Sequence, residues 1–480
     1  MNNKLPQDFV CSMRRLLGAA EYELFVESMQ REPMVSVRLN ALQKGGQELL
    51  TALPVEESVP WCTMGYYLKE RPLFTLDPLF HAGAYYVQEA SSMFLEQVMK
   101  QYVANGPVAM LDLCAAPGGK STHARTLLPE GSLLVSNEVM KNRAQILAEN
   151  LTKWGHPDVV VTRNDPADFG SLVGAFDVLL TDVPCSGEGM FRKDEAAVAD
   201  WSVANVELCR QRQQRILADV WPALKPGGLL IYSTCTYNLM ENEANVEWIC
   251  RELGAEVLPV NQDSEWNITD CLLPEADISV ARFLPHRTKG EGLFMAVLRK
   301  EGCATSGAVD KFAERNGRRG RHGASSSVTK DKAVNRLLSR QQEEQLRGWL
   351  NDTEEHYALL PQGERLLAFP QCWFSLLQRL KNNLYLLQAG VAVAEVKGRD
   401  LNPCHALAMS RLLQRGVFPE VEVECEQALN YLRKEAVRLP VDTPRGFVLL
   451  TYQGVPLGFV KHLGNRANNL YPQEWRIRNL

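Results

Sequence analysis

Leu111-Asp112-Leu113-Cys114-Ala115-Ala116-Pro117-Gly118-Gly119-Lys120 carries the densest structural information in the chain. A short apolar run, Val108–Leu113, ends in small residues and two glycines, and a helix is expected to begin near Lys120. Glycines let a backbone approach a ligand closely. In open α/β sheets the ligand crevice lies beyond the carboxyl ends of the strands. The next apolar runs fit that arrangement. Leu133–Glu138, Val159–Asn164, Phe176–Asp182 and Gly228–Thr234 are short and rich in Val, Leu and Ile, as suits strands buried on both faces of a parallel sheet. Helical stretches separate them: Lys141–Trp154, Asn205–Leu224 and Leu239–Leu253, with Pro226-Gly227-Gly228 ending the second before the next strand. This alternation predicts a doubly wound α/β domain between Val108 and Lys300.

Three readings of the loop compete. Gly119-Lys120-Ser121 matches the end of a P-loop, but Cys114 stands where that motif needs its first glycine. A dinucleotide site would need G-x-G-x-x-G, which is absent here. The third reading is a methyltransferase loop, whose ligand carries no phosphate chain. Two acids favour it. Glu138 ends the second strand, where a carboxylate suits the ribose hydroxyls of a nucleoside. Asp165 ends the third, placed to meet an adenine amino group. Either acid alone is commonly a solvated or capping group; loop and acids in register are more specific.

The fourth strand runs into Asp182-Val183-Pro184-Cys185-Ser186-Gly187, and the fifth into Ser233-Thr234-Cys235-Thr236-Tyr237. Both thiols are expected at the sheet edge that carries the loop. A lone cysteine is usually a small buried hydrophobe. Two of them at neighbouring strand ends beside a nucleoside site fit nucleophilic catalysis. Carbon 5 of cytosine is a poor nucleophile. A thiolate added to carbon 6 turns the ring into an enamine whose carbon 5 can take a methyl group. An ordinary thiol has a pKa of about 8.5, so a cation or a helix N-terminus must favour the thiolate. Glu241 and Glu243 weigh against a strongly positive site, which leaves the dipole at the start of Asn238–Leu253 as the expected source. Asp182 is placed to hydrogen-bond the polar edge of the base and stabilise the protonated ring. The residues alone do not rank the two thiols. Amino-group methylation of adenine is a sister chemistry, but it needs no thiol, and its Asn/Asp-Pro-Pro-aromatic turn is replaced here by Val183-Pro184-Cys185.

The whole chain sets wider bounds. Its 480 residues exceed one hydrophobic core. A net charge of −5 confines any RNA affinity to local basic patches. Twelve cysteines without a C-x-x-C or zinc spacing point to free thiols, a reducing compartment and no metal. No apolar run is long enough to span a membrane, and Met1–Arg14 lacks a signal-peptide core, so a cytoplasmic location is expected. Five regions are expected: a mixed α/β extension over 1–105, a catalytic domain over 106–303, a basic linker over 304–332, a small connecting region over 333–383 and a β-rich domain over 384–480. The linker holds Arg315-Asn316-Gly317-Arg318-Arg319-Gly320-Arg321-His322, either a solvated connector or a segment that touches phosphates. Asn335–Gln371 reads as mostly helical. Tyr385–Gln388 and Phe447–Tyr452 read as strands of the last domain.

Taken together, Cys114–Lys120, Asp182–Gly187 and Ser233–Asn238 resemble the motifs of the Nol/Nop/Sun family of RNA cytosine-5 methyltransferases. Val37-Arg38-Leu39-Asn40, Tyr86-Val87-Gln88-Glu89-Ala90-Ser91-Ser92 and Arg282-Phe283-Leu284-Pro285-His286 agree, so the resemblance runs from Val37 to Lys300. It implies a class I, Rossmann-like, seven-stranded methyltransferase domain with an N-terminal RNA-recognition-like extension. It implies S-adenosyl-L-methionine as cofactor, held by Cys114, Ala115, Ala116, Pro117, Gly118, Gly119, Lys120, Glu138, Asp165 and Asp182. By the same resemblance Cys235 is the nucleophile, Cys185 the thiol that helps release the product, and Asp182 also faces the cytosine. The tail, Gly454–Lys461 with Asn468-Asn469-Leu470-Tyr471-Pro472, resembles the PUA-like end of the bacterial RsmF subfamily. That narrows the expected partner to 16S rRNA in the small ribosomal subunit, near the decoding region, acted on by a monomer. Lys461, Arg466, Arg476 and Arg478 are candidate RNA contacts, or ordinary surface charges. The alternatives are another target, 23S rRNA or tRNA, and two other classes: a non-catalytic ribosome-assembly factor and a nucleotide hydrolase. Loss of the two cysteines and Asp182 would favour the first of these classes, and a complete P-loop the second. The chain meets neither condition.

Overall fold

The computed structural model describes residues 5–42, 53–103, 105–274, 276, 278–302 and 338–478. Two helices, Gln7–Leu17 and Ala19–Met29, open the chain. They bury Phe9, Met13, Tyr22 and Phe25 against Phe191, Trp201, Tyr237 and Leu284 of the following domain. An antiparallel sheet comes next, from β1 (Val35–Leu39), β2 (Val55–Ser58), β3 (Gly65–Leu68) and β4 (Tyr85–Val87), in the order β2-β3-β1-β4.

The apolar runs of the middle region pair as expected. β5 (Ala109–Asp112), β6 (Leu133–Asn137), β7 (Val159–Thr162), β8 (Phe176–Asp182) and β9 (Leu224–Thr234) are parallel neighbours in the order β9-β8-β5-β6-β7. β10 (Ala255–Leu258) and β12 (Leu293–Lys300) complete a seven-stranded path, β12 lying antiparallel to β9. β11 (Ala281–Phe283) pairs with β12 off this path. One apolar core lies on each face: Leu111, Val135, Leu179 and Leu230 on one, Met110, Leu134, Val178 and Ile231 on the other. Alternate residues of the same strands supply both, which is why the runs read as continuously hydrophobic.

Three expectations are corrected here. Helix Lys141–Trp154 has the expected bounds, but the next ends at Val220, followed by a short turn over Trp221–Ala223. Pro226-Gly227-Gly228 therefore sits inside β9, within the break in register against β8 that lies between Leu224 and Leu229. The stretch Leu239–Leu253 becomes helical only at Glu243, and from Ile249 it loosens into a π-helical turn to Gly254. Asn238 holds the Glu241 N–H and Thr234 holds the Asn242 side chain, so the preceding residues form a turn.

Asn335–Gln371 is also corrected. Among its described residues only Arg340–Arg347 is an α-helix. β13 (Tyr357–Gln362) and β14 (Arg365–Pro370) form a hairpin around Gly363-Glu364. Glycine at the first position of a two-residue turn is a hairpin signal that outweighs helical propensity upstream. β15 (Leu386–Ala389) joins the central sheet, antiparallel to β7. β16 (Val391–Lys397) and β17 (Asp400–Pro403) extend the hairpin to the order β13-β14-β16-β17. The last sheet is β18 (Glu420–Glu422), β19 (Gly446–Tyr452), β20 (Val455–His462) and β21 (Ala467–Asn469). Its Val448 and Val460, with Tyr431 of the helix Cys425–Leu432, share a core with Val37, Leu39 and Tyr85 of the N-terminal sheet. The basic stretch Arg315–His322 lies outside the described residues. Among the described residues no helix is long and apolar enough to cross a membrane.

One buried ion pair ties the end of the central sheet together. Arg282 on β11 meets Glu243 at the start of its helix, both fully buried, and also donates to the Tyr237 carbonyl. Removing one partner of such a pair strands the other charge. Arg282→Met is expected to cost about 3–5 kcal/mol in urea unfolding, and adding Glu243→Leu to recover most of it. A loss below about 1 kcal/mol would contradict this account of the pair.

Candidate active site

The loop after β5 is fixed by its backbone. Leu113 N–H donates to Leu180 O at 3.0 Å, and Ala115 N–H to Asn137 O at 2.9 Å. Gly118, at φ +115°, turns the chain into the helix Gly119–Leu127, a conformation L side chains rarely adopt. Two side chains of helix Lys141–Trp154 hold the outer rim: Arg143 donates to Ala116 O and Asn150 to Pro117 O, each at 2.8 Å. Cys114 lies at the base of the loop. Burial raises its thiol pKa, and the nearby acids raise it further, so it carries no thiolate.

Carboxylates ring this loop. Asp112, fully buried, accepts from Ser121 Oγ at 2.6 Å through Oδ2, while Oδ1 has no partner among the described residues. Burial raises its pKa to about 7, and the charges of Asp182 and Glu138 add to the rise. Glu138 is buried at the end of β6, accepts from Met140 N–H at 2.9 Å and faces Arg143 at 3.3 Å. Asp182 is half-exposed at the end of β8. A ring of acids repels a phosphate chain and attracts a cation. The sulfonium and α-ammonium groups of S-adenosylmethionine suit it; a nucleotide triphosphate does not. The lysine that a P-loop would give to phosphate is committed elsewhere: Lys120 Nζ lies 2.9 Å from Asp182 Oδ2. Asp165 stands apart from this ring. It follows β7 and caps the turn Pro166–Ser171, accepting from Ala167 N–H, with Asp168 reciprocating.

The two thiols meet. The register of β8 on β9 sets Asp182 opposite Ser233, and Ser233 Oγ donates to Asp182 Oδ1 at 2.8 Å. Cys185 lies three residues beyond Asp182 and Cys235 two beyond Ser233. Their sulfurs are 3.1 Å apart, both half-buried. The hydrogen bond between them, and then burial, push the Cys185 thiol pKa up, so Cys185 keeps its proton. Lys120, paired with Asp182, is the cation at this edge. Burial opposes its charge, yet the Asp182 carboxylate and the Cys235 sulfur hold its pKa above the ordinary lysine value.

The sequence points to a helix dipole at the start of Asn238–Leu253 as the group that favours a thiolate. The structure corrects that source. The helix beyond Cys235 begins only at Glu243, and the buried Glu243 carboxylate in its first turn is paired with Arg282. Glu241, read as unfavourable to a thiolate, accepts from Ser186 N–H and Gln213 Nε2. Burial raises its pKa. The stretches outside the site are braces. Arg38 on β1 donates to Gln88 Oε1 at 2.8 Å and to Thr122 Oγ1 at 2.7 Å, gripping the first turn of the loop's helix. Asn40 donates to Gly83 O and Trp154 O.

Comparison with known proteins agrees with this geometry. Three family models match: 16S rRNA methyltransferase RsmB/F over residues 103–299, the N-terminal domain of 16S rRNA methyltransferase RsmF over 5–90, and the methyltransferase RsmF PUA domain over 418–477. A ribosomal RNA small subunit methyltransferase F from Enterobacter sp. (strain 638) is 30% identical, covering 98% of this chain and 95% of its own. One from Vibrio cholerae serotype O1 (strain M66-2) is 28% identical over 100% of this chain and 99% of its own. Among solved structures, a methyltransferase homolog protein from Pyrococcus horikoshii is 27% identical, with a TM-score of 0.51 over 62% of this chain and 100% of that one.

Asp112 sets a pH dependence. Its ordinary pKa of 3.8 is raised to about 7 in the folded state. Between those values the unfolded chain has released the proton and the folded chain still holds it, so stability falls as pH rises through the window. Asp112→Asn removes that fall. Melting temperatures of the ligand-free protein at steps from pH 4 to 8 are expected to decline more steeply for the wild type. Parallel profiles would refute the assignment.

Proposed function

The chain belongs to the RsmF family of ribosomal RNA small subunit methyltransferases, and from that premise we propose that it methylates carbon 5 of a cytosine in 16S rRNA through a covalent bond from Cys235 to carbon 6 of the base. Methylation of ribosomal RNA with S-adenosylmethionine as the donor is the activity of this family. The finer reading rests on one observation: two sulfurs 3.1 Å apart at adjacent strand ends, beside the Lys120–Asp182 pair.

Bound S-adenosylmethionine supplies an electrophilic methyl group. The residues to hold it are Cys114–Lys120, with Glu138 on the ribose, Asp165 toward the adenine and Asp182 at the mouth. Cys235 reacts as its thiolate, and the Lys120 ammonium paired with Asp182 is the cation of the site. That thiolate adds to carbon 6, forming an S–C6 bond and moving electron density to carbon 5. Asp182 takes hydrogen bonds from the protonated polar edge of the ring. Once carbon 5 carries the methyl group, its proton leaves to a water that the protonated Cys185 orients. The electron pair left behind breaks the S–C6 bond and frees Cys235. Methylation of an amino group would leave both thiols unused.

The target lies in the decoding region of the small subunit, and the chain acts as a cytoplasmic monomer. Arg466, Arg476 and Arg478 support an RNA contact by the last domain: all three are exposed and form no ion pair among the described residues. Lys461 lies over the Phe447 ring. The proposed domain limits are 1–105, 106–303, 304–332, 333–383 and 384–480, although the sheet β13-β14-β16-β17 crosses the limit at 383/384 and β15 pairs with the central sheet.

Labelled S-adenosylmethionine with 16S rRNA or small subunits tests the reading. Wild type is expected to place label on RNA as 5-methylcytosine. Cys235→Ala is expected to give neither product nor adduct. Cys185→Ala is expected to accumulate a slow-migrating protein–RNA band. No label on any RNA would end the enzyme reading. An active Cys235→Ala, with no band from Cys185→Ala, would overturn the roles.

A further inference from the structure

The pairing of β8 with β9 ends at Asp182 and Ser233, so the ladder does not itself hold Cys235. The turn at Cys235 is held instead by the loop that carries the other thiol. Gly189 N–H donates to the Cys235 carbonyl at 2.7 Å. A Cβ at Gly189 would stand 2.6 Å from that oxygen, so only glycine allows the approach. Next to it is Glu188, which is 1% exposed. Its Oε2 accepts from Tyr237 N–H at 2.7 Å and Asn238 N–H at 3.0 Å. Its Oε1 accepts from Asn238 Nδ2 and Trp201 Nε1, each at 3.0 Å. Trp201 in turn packs edge-on against Phe9 of the first helix, with ring centroids 5.6 Å apart.

All four donors are neutral, and Glu188 has no cationic partner among the described residues. Charge-assisted hydrogen bonds compensate the buried carboxylate. The bonds tie residues three and four places past Cys185 to the carbonyl of Cys235 and to the two residues after Thr236. No isosteric replacement preserves this. The amide of glutamine has one acceptor and one donor side, and its NH2 would face two N–H groups.

We propose that Glu188 is a positioning residue: its carboxylate, with the Gly189 amide, sets the gap between the Cys185 and Cys235 sulfurs by locking the turn after Cys235. It does not touch the base. The kinetic part of this proposal rests on the two-thiol reading above; the distance part does not. A merely structural Glu188 would change melting temperature without changing the geometry of the folded thiol pair.

The experiment uses the full-length protein and reads the gap with diamide. Diamide accepts two electrons and two protons and becomes a hydrazine, as the two thiols lose theirs and join in an S–S bond. The Cys185–Cys235 cross-link is followed by peptide mass, beside steady-state methylation of small subunits. For folded Glu188→Gln, cross-linking is expected to slow about tenfold or more, because disulfide closure depends steeply on geometry. Its kcat is expected to fall about 10²-fold, the cost of a displacement near 1 Å, with the KM for S-adenosylmethionine within about threefold. Trp201→Phe removes one of the four donors and keeps the packing; about a threefold to tenfold fall in both readouts is expected. Folded Glu188→Gln that cross-links and turns over within about twofold of wild type would overturn the proposal. Should that variant not fold, unchanged readouts in Trp201→Phe would overturn it. A Cys235→Ala protein that still methylates would instead break the two-thiol reading and leave the cross-linking result to stand by itself.

Discussion

The register of two parallel strands governs the site. β8 and β9 run side by side with Asp182 opposite Ser233, and that pair is the last rung. The acid and its hydroxyl partner are placed by it, and it sets the strand ends from which the two thiol-bearing turns depart. A slip of one residue would turn every side chain to the other face of the sheet. The sulfurs would then separate, and Asp182 would lose both Ser233 and Lys120. The register is protected by the cores on either face, since a slip would also bring each buried apolar set out of place. Stability of the sheet and geometry of the chemistry are therefore the same constraint.

Charge is arranged around that edge in two layers. Acids surround the loop and favour a cationic ligand; one lysine crosses the ring and is paired with Asp182. The lysine thus keeps its charge in a buried place where burial alone would remove it. The outer units brace this arrangement. Arg38 from the N-terminal sheet holds the helix that starts at the loop, and the first two helices pack on the turn beyond Cys235. The last sheet shares a core with the N-terminal one. The outer units are thus joined to the catalytic sheet through packed interfaces.

Much of this is legible in the sequence because buried parallel strands announce themselves as continuous apolar runs and because chemistry clusters at their carboxyl ends. The helix Lys141–Trp154 is readable to the residue, and its glycine stop, Gly155 at φ +84°, is a local signal. The misread elements are those set by distant partners. The helical expectation for Asn335–Gln371 rests on propensity, and the hairpin at Gly363 and the sheet it joins decide otherwise. β15 reads as a strand, but nothing local says that it pairs with β7; Tyr385 and the side chain of Asn164 exchange the hydrogen bonds that start the pairing. The role of Lys120 is hidden by its likeness to a P-loop lysine, and the misplaced helix start hides the same fact from the other side. Asp165 lies where the sequence puts it, at a strand end, with a capping duty that spacing does not reveal.

The central claim is that the sulfur of Cys235, and no other, bonds to carbon 6 of the target base. The most direct measurement replaces the target with 5-fluorocytosine in 16S rRNA assembled into small subunits. Fluorine at carbon 5 cannot leave as the proton does, so the adduct persists after methyl transfer. Peptide mass mapping of the trapped complex is predicted to find the modified nucleotide on Cys235. An adduct on Cys185, or complete turnover of substrate RNA with no adduct from the fluorinated base, would contradict the account.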